Sequence, residues 1–171
     1  MDDRPDPHAL IHFGHGAGPV RWESIGDPVM GGVSTGRLDA VDATTSVFQG
    51  EVSLAHGGGF ASVKADIAPV DLSACGGIRL HVRGDGKVYK LGLRTRVERN
   101  APVYQHPFET SVGQWQRLTL AFGDFTPRLR GRTLTEAPPL DPARIASVSL
   151  YISGGQAGAF ALHMAGAIQG I

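Results

Sequence analysis

The sequence predicts an all-β fold, an antiparallel β-sandwich or jelly roll, and three observations support this prediction. Apolar and polar residues alternate with a period of two over much of the chain, whereas helical periodicity is nearly absent. Turn-forming residues interrupt these runs, with 24 glycines and 11 prolines in 171 residues and no short repeat among them. There is no linker and no second hydrophobic block, so a single domain over residues 1–171 is expected.

The first strands are predicted in the middle of the N-terminal half. Residues 44–54 alternate, with Phe48, Val52 and Leu54 on one side. A glycine-rich turn follows, and residues 60–64 begin another short strand. Residues 66–77 contain two clusters of turn formers and are expected to form a connection.

A β-hairpin is predicted over residues 78–96. Asp85 and Gly86 lie between two alternating runs, and Asp-Gly favours the positive φ angles of a two-residue type I′ turn. With this turn the paired apolar residues all fall on one face. The predicted pairs are Val82 with Tyr89, Leu80 with Leu91 and Ile78 with Leu93.

The later strands follow the same pattern. They are predicted at residues 103–108, 115–122, 144–153 and 159–168. The proline-rich segment 126–142 is too long for a hairpin loop and is expected to cross between sheets. Eight to eleven strands of this kind, without parallel βαβ units, predict a sandwich or jelly roll.

The net charge and the cysteine content exclude some classes of function. Sixteen basic and sixteen acidic residues give zero net charge, so general attraction to nucleic acid or to an anionic membrane is not expected. The single cysteine, Cys75, excludes an internal disulfide and suits a reducing compartment. The N-terminal residues lack the apolar core of a signal peptide, and no apolar run has the length of a membrane span. A cytoplasmic protein without a transmembrane segment is expected.

The motifs of common catalytic sites are missing from the sequence. There is no phosphate-binding loop, no Gly-x-Gly-x-x-Gly motif opening a helix and no Gly-x-Ser-x-Gly nucleophile motif. His8, His12 and His15 lie in a broken N-terminal stretch without further metal ligands nearby. The prediction is therefore a protein with no catalytic residue, no cofactor and no metal site. An enzyme that uses Asp27 or His81 remains a third alternative.

A row of basic residues is expected on the outward side of the predicted hairpin. Its members are Arg79, His81, Arg83, Lys90, Arg94 and Arg96. One interpretation is a solvated face that pairs with acidic side chains such as Glu51 or Glu98. The other is a binding face for an anionic or polar ligand or for a protein partner. Tyr104, Trp115 and Trp22 are candidates for exposed rings that bind a sugar, although core rings are the simpler explanation for each.

The segment from Trp22 to Gly36, WESIGDPVMGGVSTG, strongly resembles the signature W-x-x-x-N-D-x-V-M-G-G-V-S-x-G of the complex I intermediate-associated protein 30 family. The resemblance extends over about residues 13–168, with further matching segments in the same order. These are Phe48–Leu54, Gly58–Val63, Gly84–Leu91, Tyr104–Gln105 with Phe108, Trp115, Phe122 with Phe125, Arg130–Arg132 and Pro138–Asp141. Gly26, where the family commonly has Asn, and Pro28 depart from the pattern.

The resemblance implies a galactose-binding-domain-like jelly roll related to carbohydrate-binding modules. It also implies a chaperone-like assembly factor whose protein partners are subunits or assembly intermediates of respiratory complex I, an NADH:quinone oxidoreductase. The main alternative is a carbohydrate-binding module with a groove near Tyr104 or Trp115, flanked by Arg79 and Arg94.

The signature segment has a physical interpretation as a closely packed turn. Adjacent glycines allow backbone approach that a Cβ would forbid, and a serine hydroxyl can satisfy a freed backbone group. The motif residues are predicted to be either structural or binding, and the sequence leaves both open. They are Trp22, Asp27, Met30, Gly31, Gly32 and Ser34.

Overall fold

The computed structural model describes residues 6–18, 20–26, 34–55, 58–98 and 100–171. These residues form an all-β structure, which confirms the predicted fold class. Two 3₁₀ turns lie at Phe122–Asp124 and Pro142–Arg144. The strands are β1 Ala9–His12, β2 Glu23–Gly26, β3 Thr35–Ala40, β4 Thr45–Val52, β5 Ala61–Val70, β6 Gly77–Arg83, β7 Val88–Arg94, β8 Val103–Glu109, β9 Trp115–Ala121, β10 Thr126–Leu129, β11 Arg132–Thr133, β12 Ile145–Ile152, β13 Gly158–Ala165 and β14 Ala167–Gly170.

Two seven-stranded sheets make the sandwich. The first sheet has the order β1-β14-β6-β13-β4-β3, with β9 added along β6. The second has the order β11-β10-β8-β7-β12-β5-β2. Neighbouring strands pair antiparallel throughout both sheets of the described chain.

The core lies between the two sheets and is built by the period-two alternation of the strands. In β13, Phe160, Leu162 and Met164 are buried while the residues between them are partly exposed. The largest fully buried side chains come from both sheets, among them Tyr89 and Phe48. Removing each such side chain from water contributes roughly 1.5–3 kcal/mol, so these inward rows provide most of the driving force for sheet packing.

The predicted hairpin over residues 78–96 is wrong, because its two strands belong to different sheets. β6 pairs with β9, β13 and β14, whereas β7 pairs with β8 and β12. Gly86 has a positive φ of 88°, but Asp85 does not, so the two positive angles of a type I′ turn are not present. The connection therefore carries the chain from one sheet to the other.

Two other connections also differ from the prediction. The segment 66–77 was expected to lie outside the strands, but β5 continues through it to Val70. Residues 126–142 do not cross between sheets, because β10, β11 and β12 all belong to the second sheet. The crossing occurs just before them, at the 3₁₀ turn that follows β9. The described residues form fourteen strands, more than the eight to eleven expected, since short strands such as β1 and β11 carry little alternation.

Gly50, in the middle of β4, has no room for a side chain. A Cβ there would lie 2.0 Å from the backbone oxygen of Thr35 on the neighbouring strand. We expect Gly50→Ala to lower the free energy of unfolding by about 2–3 kcal/mol, because β3 would have to move away from its partner. Thermal unfolding measures this effect. Gly76→Ala is the control, since a Cβ there meets no atom within 4 Å, and equal melting temperatures of the two variants would contradict the prediction.

Candidate binding surface

The predicted basic face is divided between the two sides of the sandwich. Arg79, His81 and Arg83 project from the outer side of β6, in the first sheet, because Ile78, Leu80 and Val82 point into the core. Lys90 and Arg94 project from the outer side of β7, in the second sheet. The prediction of one continuous face is therefore wrong, and the reason is the sheet change between β6 and β7. That either set binds a partner stays a prediction.

Tyr104 does not provide an exposed ring. It lies on β8, is 4% exposed, and its hydroxyl donates a hydrogen bond of 2.8 Å to the Pro138 carbonyl oxygen. Burial raises the pKa of this phenol, and the positive charge of Arg96 opposes the shift. Arg96, which follows β7, is exposed. Tyr104 thus fastens the long connection after β11 to the second sheet.

Trp115 is the exposed ring of the first sheet. It begins β9 opposite Arg83 of β6 and retains 41% of its side-chain exposure. The Arg83 guanidinium carbon lies 5.2 Å from the indole centroid, a cation–π arrangement. The His81 ring lies 4.8 Å from the indole, tilted by 49°. Two side chains of β6 therefore hold the indole in place while leaving much of it accessible to a partner.

Further residues complete this surface, which we call the Trp115 patch. Its members are His81, Arg83, Val112, Trp115, Arg117 and His163. Arg117 pairs with His81 across β6 and β9, and His163 pairs with Arg83 across β6 and β13. Val112, 75% exposed, lies in the β8–β9 connection, where it forms an isolated bridge with Gly84 at the end of β6.

The Trp115 patch is cationic. Among the described residues, Arg83 and Arg117 form no ion pair with an acidic side chain. Burial, with a smaller contribution from the positive charge of Arg83, holds the pKa of His163 below its usual value. That imidazole is therefore mostly neutral at pH 7, and Arg83 and Arg117 contribute permanent positive charges to the patch.

A shallow depression continues this outer face toward β3. It has a volume of about 600 Å³ and opens to solvent. Ala159 and Ala161 contribute small side chains to its lining, with Arg37, Gln49 and Lys87 among the polar groups around them. The outer face of the first sheet thus offers an aromatic and cationic patch beside a recess.

Asp85 fastens the sheet-crossing connection next to this recess. The buried hydroxyl of Tyr89 donates one hydrogen bond that the two carboxylate oxygens of Asp85 share, each 3.0 Å from the hydroxyl oxygen. The backbone amides of Ala161 and Lys87 donate to it at 3.0 and 3.2 Å. Burial raises the pKa of Asp85, but these hydrogen bonds and the nearby Lys87 ammonium outweigh it, so the pKa lies below its usual value.

The signature segment is described only at its two sides. Trp22 packs against the core and stacks on Phe13, with ring centroids 6.1 Å apart. Ser34 is fully buried, and its hydroxyl donates to the Ser53 carbonyl and accepts from the Ser53 amide. Both residues have structural contacts. The remaining motif residues lie outside the described residues; these are Asp27, Met30, Gly31 and Gly32.

The sequence pattern did not predict Arg117 and Val112 as members of the Trp115 patch. Arg117 alternates with inward-facing Leu118 and Leu120, so its outward direction was readable, but its proximity to His81 depends on the pairing of β6 with β9. Val112 carries no sequence signal beyond its place in a turn. Among the described residues, no group of three histidine, cysteine or acidic side chains is arranged to hold a metal ion. The described residues also contain no helix that is long and apolar enough to span a membrane.

The two packed antiparallel sheets resemble solved carbohydrate-binding modules. The family 11 carbohydrate-binding module of the cellulosomal cellulase Lic26A-Cel5E of Clostridium thermocellum has a TM-score of 0.64 and 14% identity, covering 93% of this chain and 94% of that one. A family 30 carbohydrate-binding module has a TM-score of 0.56 and 15% identity, covering 88% and 87%. The agarase AgWH50C has a TM-score of 0.60 and 12% identity, and the match covers 96% of this chain and 26% of the agarase chain. The molecule is thus a jelly roll of the galactose-binding-domain-like class.

The family model of complex I intermediate-associated protein 30 matches residues 11–164. The chain therefore belongs to the complex I intermediate-associated protein 30 family. A comparison with curated protein sequences finds no match.

Proposed function

We propose that this protein is a non-catalytic binding domain that assists the assembly of respiratory complex I, with the Trp115 patch as its contact surface for a subunit or assembly intermediate. The family membership over residues 11–164 carries the proposal. In the same proposal the protein acts in the cytoplasm, where its single thiol, Cys75, stays reduced.

The composition of the Trp115 patch supports a protein partner. Tryptophan and arginine are, with tyrosine, enriched among the residues that dominate binding energy at protein interfaces. Trp115 and Arg83 are in contact, and Arg83 and Arg117 have no acidic partner among the described residues. A partner surface with acidic residues around an apolar pocket would complement this patch in both charge and shape.

Deletion of the gene in the native host tests the proposal. We expect less assembled complex I on native gels and lower NADH:quinone oxidoreductase activity, both restored by the wild-type gene. Another respiratory dehydrogenase in the same membranes serves as the control for general respiratory damage. An unchanged amount of assembled complex I would contradict the proposal.

Carbohydrate binding is the second candidate, favoured by the fold shared with the family 11 module and by the exposed indole of Trp115. The apolar face of a sugar ring packs well on such a ring. Since Tyr104 is buried, the candidate groove is reduced to the surroundings of Trp115. Binding to a glycan array that is lost in Trp115→Ala would support this function, and an array without hits would remove it.

A further inference from the structure

Strand β9, which begins with Trp115, lies at the edge of the first sheet. Along one side it pairs with β6 in continuous register, from Trp115 opposite Arg83 to Ala121 opposite Gly77. No other described strand pairs with it, so its second side is an open edge of the sheet within the described chain.

The backbone groups at this open edge can be assigned from one hydrogen bond. The amide of Phe122, directly after β9, donates to the Gly76 carbonyl oxygen at 3.1 Å, on the side of β6. Backbone groups alternate in direction along an antiparallel strand, so every second residue of β9 also points its amide and carbonyl to β6. The other residues point theirs to the open edge, and they form no further backbone hydrogen bond with described residues. These edge-facing residues are Trp115, Arg117, Thr119 and Ala121.

The edge of β9 lacks the usual protection against pairing with another strand. Native edge strands are kept apart by short length, bulges, proline or charged residues. Among the other described edge strands, β2 has four residues, β11 has two, and β1 has four with a register shift against β14. The longer β3 carries the charged residues Arg37 and Asp39. By contrast, β9 has seven residues in regular register, with no proline or glycine and with Arg117 as its one charge.

The two sides of β9 define what an added strand would contact. The side chains of the edge-facing residues are exposed on the outer side of the first sheet. The residues between them point into the sandwich, where Leu120 is buried and Leu118 packs against the core. An added strand would thus place its side chains alternately beside Trp115 and Arg117 and beside the two leucines.

The outer side along this edge is positively charged. Arg79 and Arg83 project from β6 in the rows next to β9, and with Arg117 they form no ion pair among the described residues. Of the nearby acidic residues, Glu109 belongs to the second sheet and Asp124 lies in the 3₁₀ turn beyond the end of β9. Like charges opposite one another destabilise a strand pair, and opposite charges stabilise it. A second copy of β9 would bring another arginine to this edge, so the charge favours an acidic segment of a different protein.

We propose that the open edge of β9 binds an extended segment of a protein partner, in which acidic residues alternate with apolar ones. The segment adds antiparallel to β9 as a further strand of the first sheet, and the edge-facing backbone groups provide its hydrogen bonds. Its acidic side chains lie toward the arginines, and its apolar side chains contact Leu118 and extend the core. The inference rests on the proposed function, because it states how the partner of the Trp115 patch is recognised.

Fluorescence anisotropy with synthetic peptides tests the site. The probe is fluorescein-labelled Thr-Val-Glu-Val-Glu-Val-Thr with an amidated end. One matched peptide has lysine in place of both glutamates, and two others carry N-methyl groups on both glutamates or on two of the valines. With the valines toward the sandwich, antiparallel pairing turns the glutamate amides to β9 and the valine amides to solvent.

The four peptides are expected to differ in affinity. We expect saturable binding of the probe and of the valine-methylated peptide, and binding weaker by about tenfold or more for the lysine and glutamate-methylated peptides. No binding of the probe, or equal affinities of the two methylated peptides, would overturn the proposal. A lysine peptide that binds as tightly as the probe would also overturn it.

Thr119→Pro tests the protein side of the same contact. It removes an amide that points to the open edge and leaves the hydrogen bonds with β6 in place, a position where edge strands accept proline. We expect it to weaken binding of the probe by about tenfold or more, whereas Thr119→Val, which keeps the amide, should stay within about twofold of wild type. Equal binding by the two variants would overturn the proposal. If Thr119→Pro does not fold, the two methylated peptides with the wild-type protein decide.

The peptide assay contains no complex I, so the edge and the assembly role can fail separately. Absent peptide binding together with an assembly defect in the deletion strain would overturn the β9 edge and leave the assembly role. Peptide binding with unchanged complex I would do the reverse. Sedimentation velocity covers the remaining occupant, because a wild-type dimer that Thr119→Pro converts to a monomer would place a second copy on this edge and overturn the partner segment.

Discussion

Asp85→Ala is expected to lower the free energy of unfolding by about 3 kcal/mol. The change leaves the hydroxyl of fully buried Tyr89 without its acceptor and frees the Ala161 amide that Asp85 caps on β13. Each unsatisfied buried donor costs about 1–3 kcal/mol, and the partial exposure of Asp85 keeps the total in the lower half of the combined range of about 2–6 kcal/mol. Chemical denaturation measures the difference.

Asp124→Ala is the matched control for this variant. Asp124 is exposed in the 3₁₀ turn after β9 and makes no side-chain hydrogen bond with a described residue, so its removal is expected to change stability by less than about 0.5 kcal/mol. If Asp85→Ala were no less stable than Asp124→Ala, the carboxylate would not be what holds the sheet-crossing connection in place.

The stabilisation by Asp85 depends on pH in a defined direction. Its pKa is lowered from an ordinary value of 3.8, since the native hydrogen bonds favour the carboxylate over the acid. The stabilising contribution is therefore complete above pH 3.8 and is lost as the pH falls through the lower pKa of the folded protein. The stability gap between wild type and Asp85→Ala should stay constant from pH 7 to 5 and narrow toward pH 3. A gap that widens in acid would contradict this assignment.

The alternation of residues around Asp85 predicted the core but not the sheet assignment. The inward-facing rows of β6 and β7 are buried, as their sequence pattern indicated. The same pattern arises, however, when two strands pair side by side and when they face each other across a sandwich. In this protein they face each other, because β6 and β7 pair with strands distant in sequence, and the Asp85 carboxylate adds a hydrogen bond from the distant Ala161 amide. Such a long-range contact leaves no local signal in the sequence.

The candidate surfaces were predictable to the same extent. Alternation correctly placed Arg83 and Lys90 on outward sides of their strands, but one error in strand pairing merged two opposite faces into one. The Trp115 patch depends on a pairing between strands distant in sequence, β6 with β9.

Trp115→Ala is expected to weaken binding to the proposed complex I partner by about thirtyfold or more while leaving the fold intact. Truncation of a central tryptophan at an interface typically costs 2 kcal/mol or more of binding energy, which corresponds to that factor. The indole is 41% exposed and lies on the edge strand β9, so its loss should cost the fold little. In the deletion strain, a Trp115→Ala gene should restore assembled complex I poorly, at a protein level and melting temperature close to wild type.

Two further variants test whether a defect in Trp115→Ala is specific to the Trp115 patch or follows from any change at the protein surface. Leu54→Ala removes a side chain that is 53% exposed and lies outside the Trp115 patch, so a gene with this change should complement the deletion fully. Arg83→Lys keeps the charge but loses the planar guanidinium that lies over the indole, so a partial defect is expected. Full complementation by Trp115→Ala would show that the Trp115 patch is not the partner site. A defect in Leu54→Ala as large as the defect in Trp115→Ala would show the same, and the partner would then bind another face.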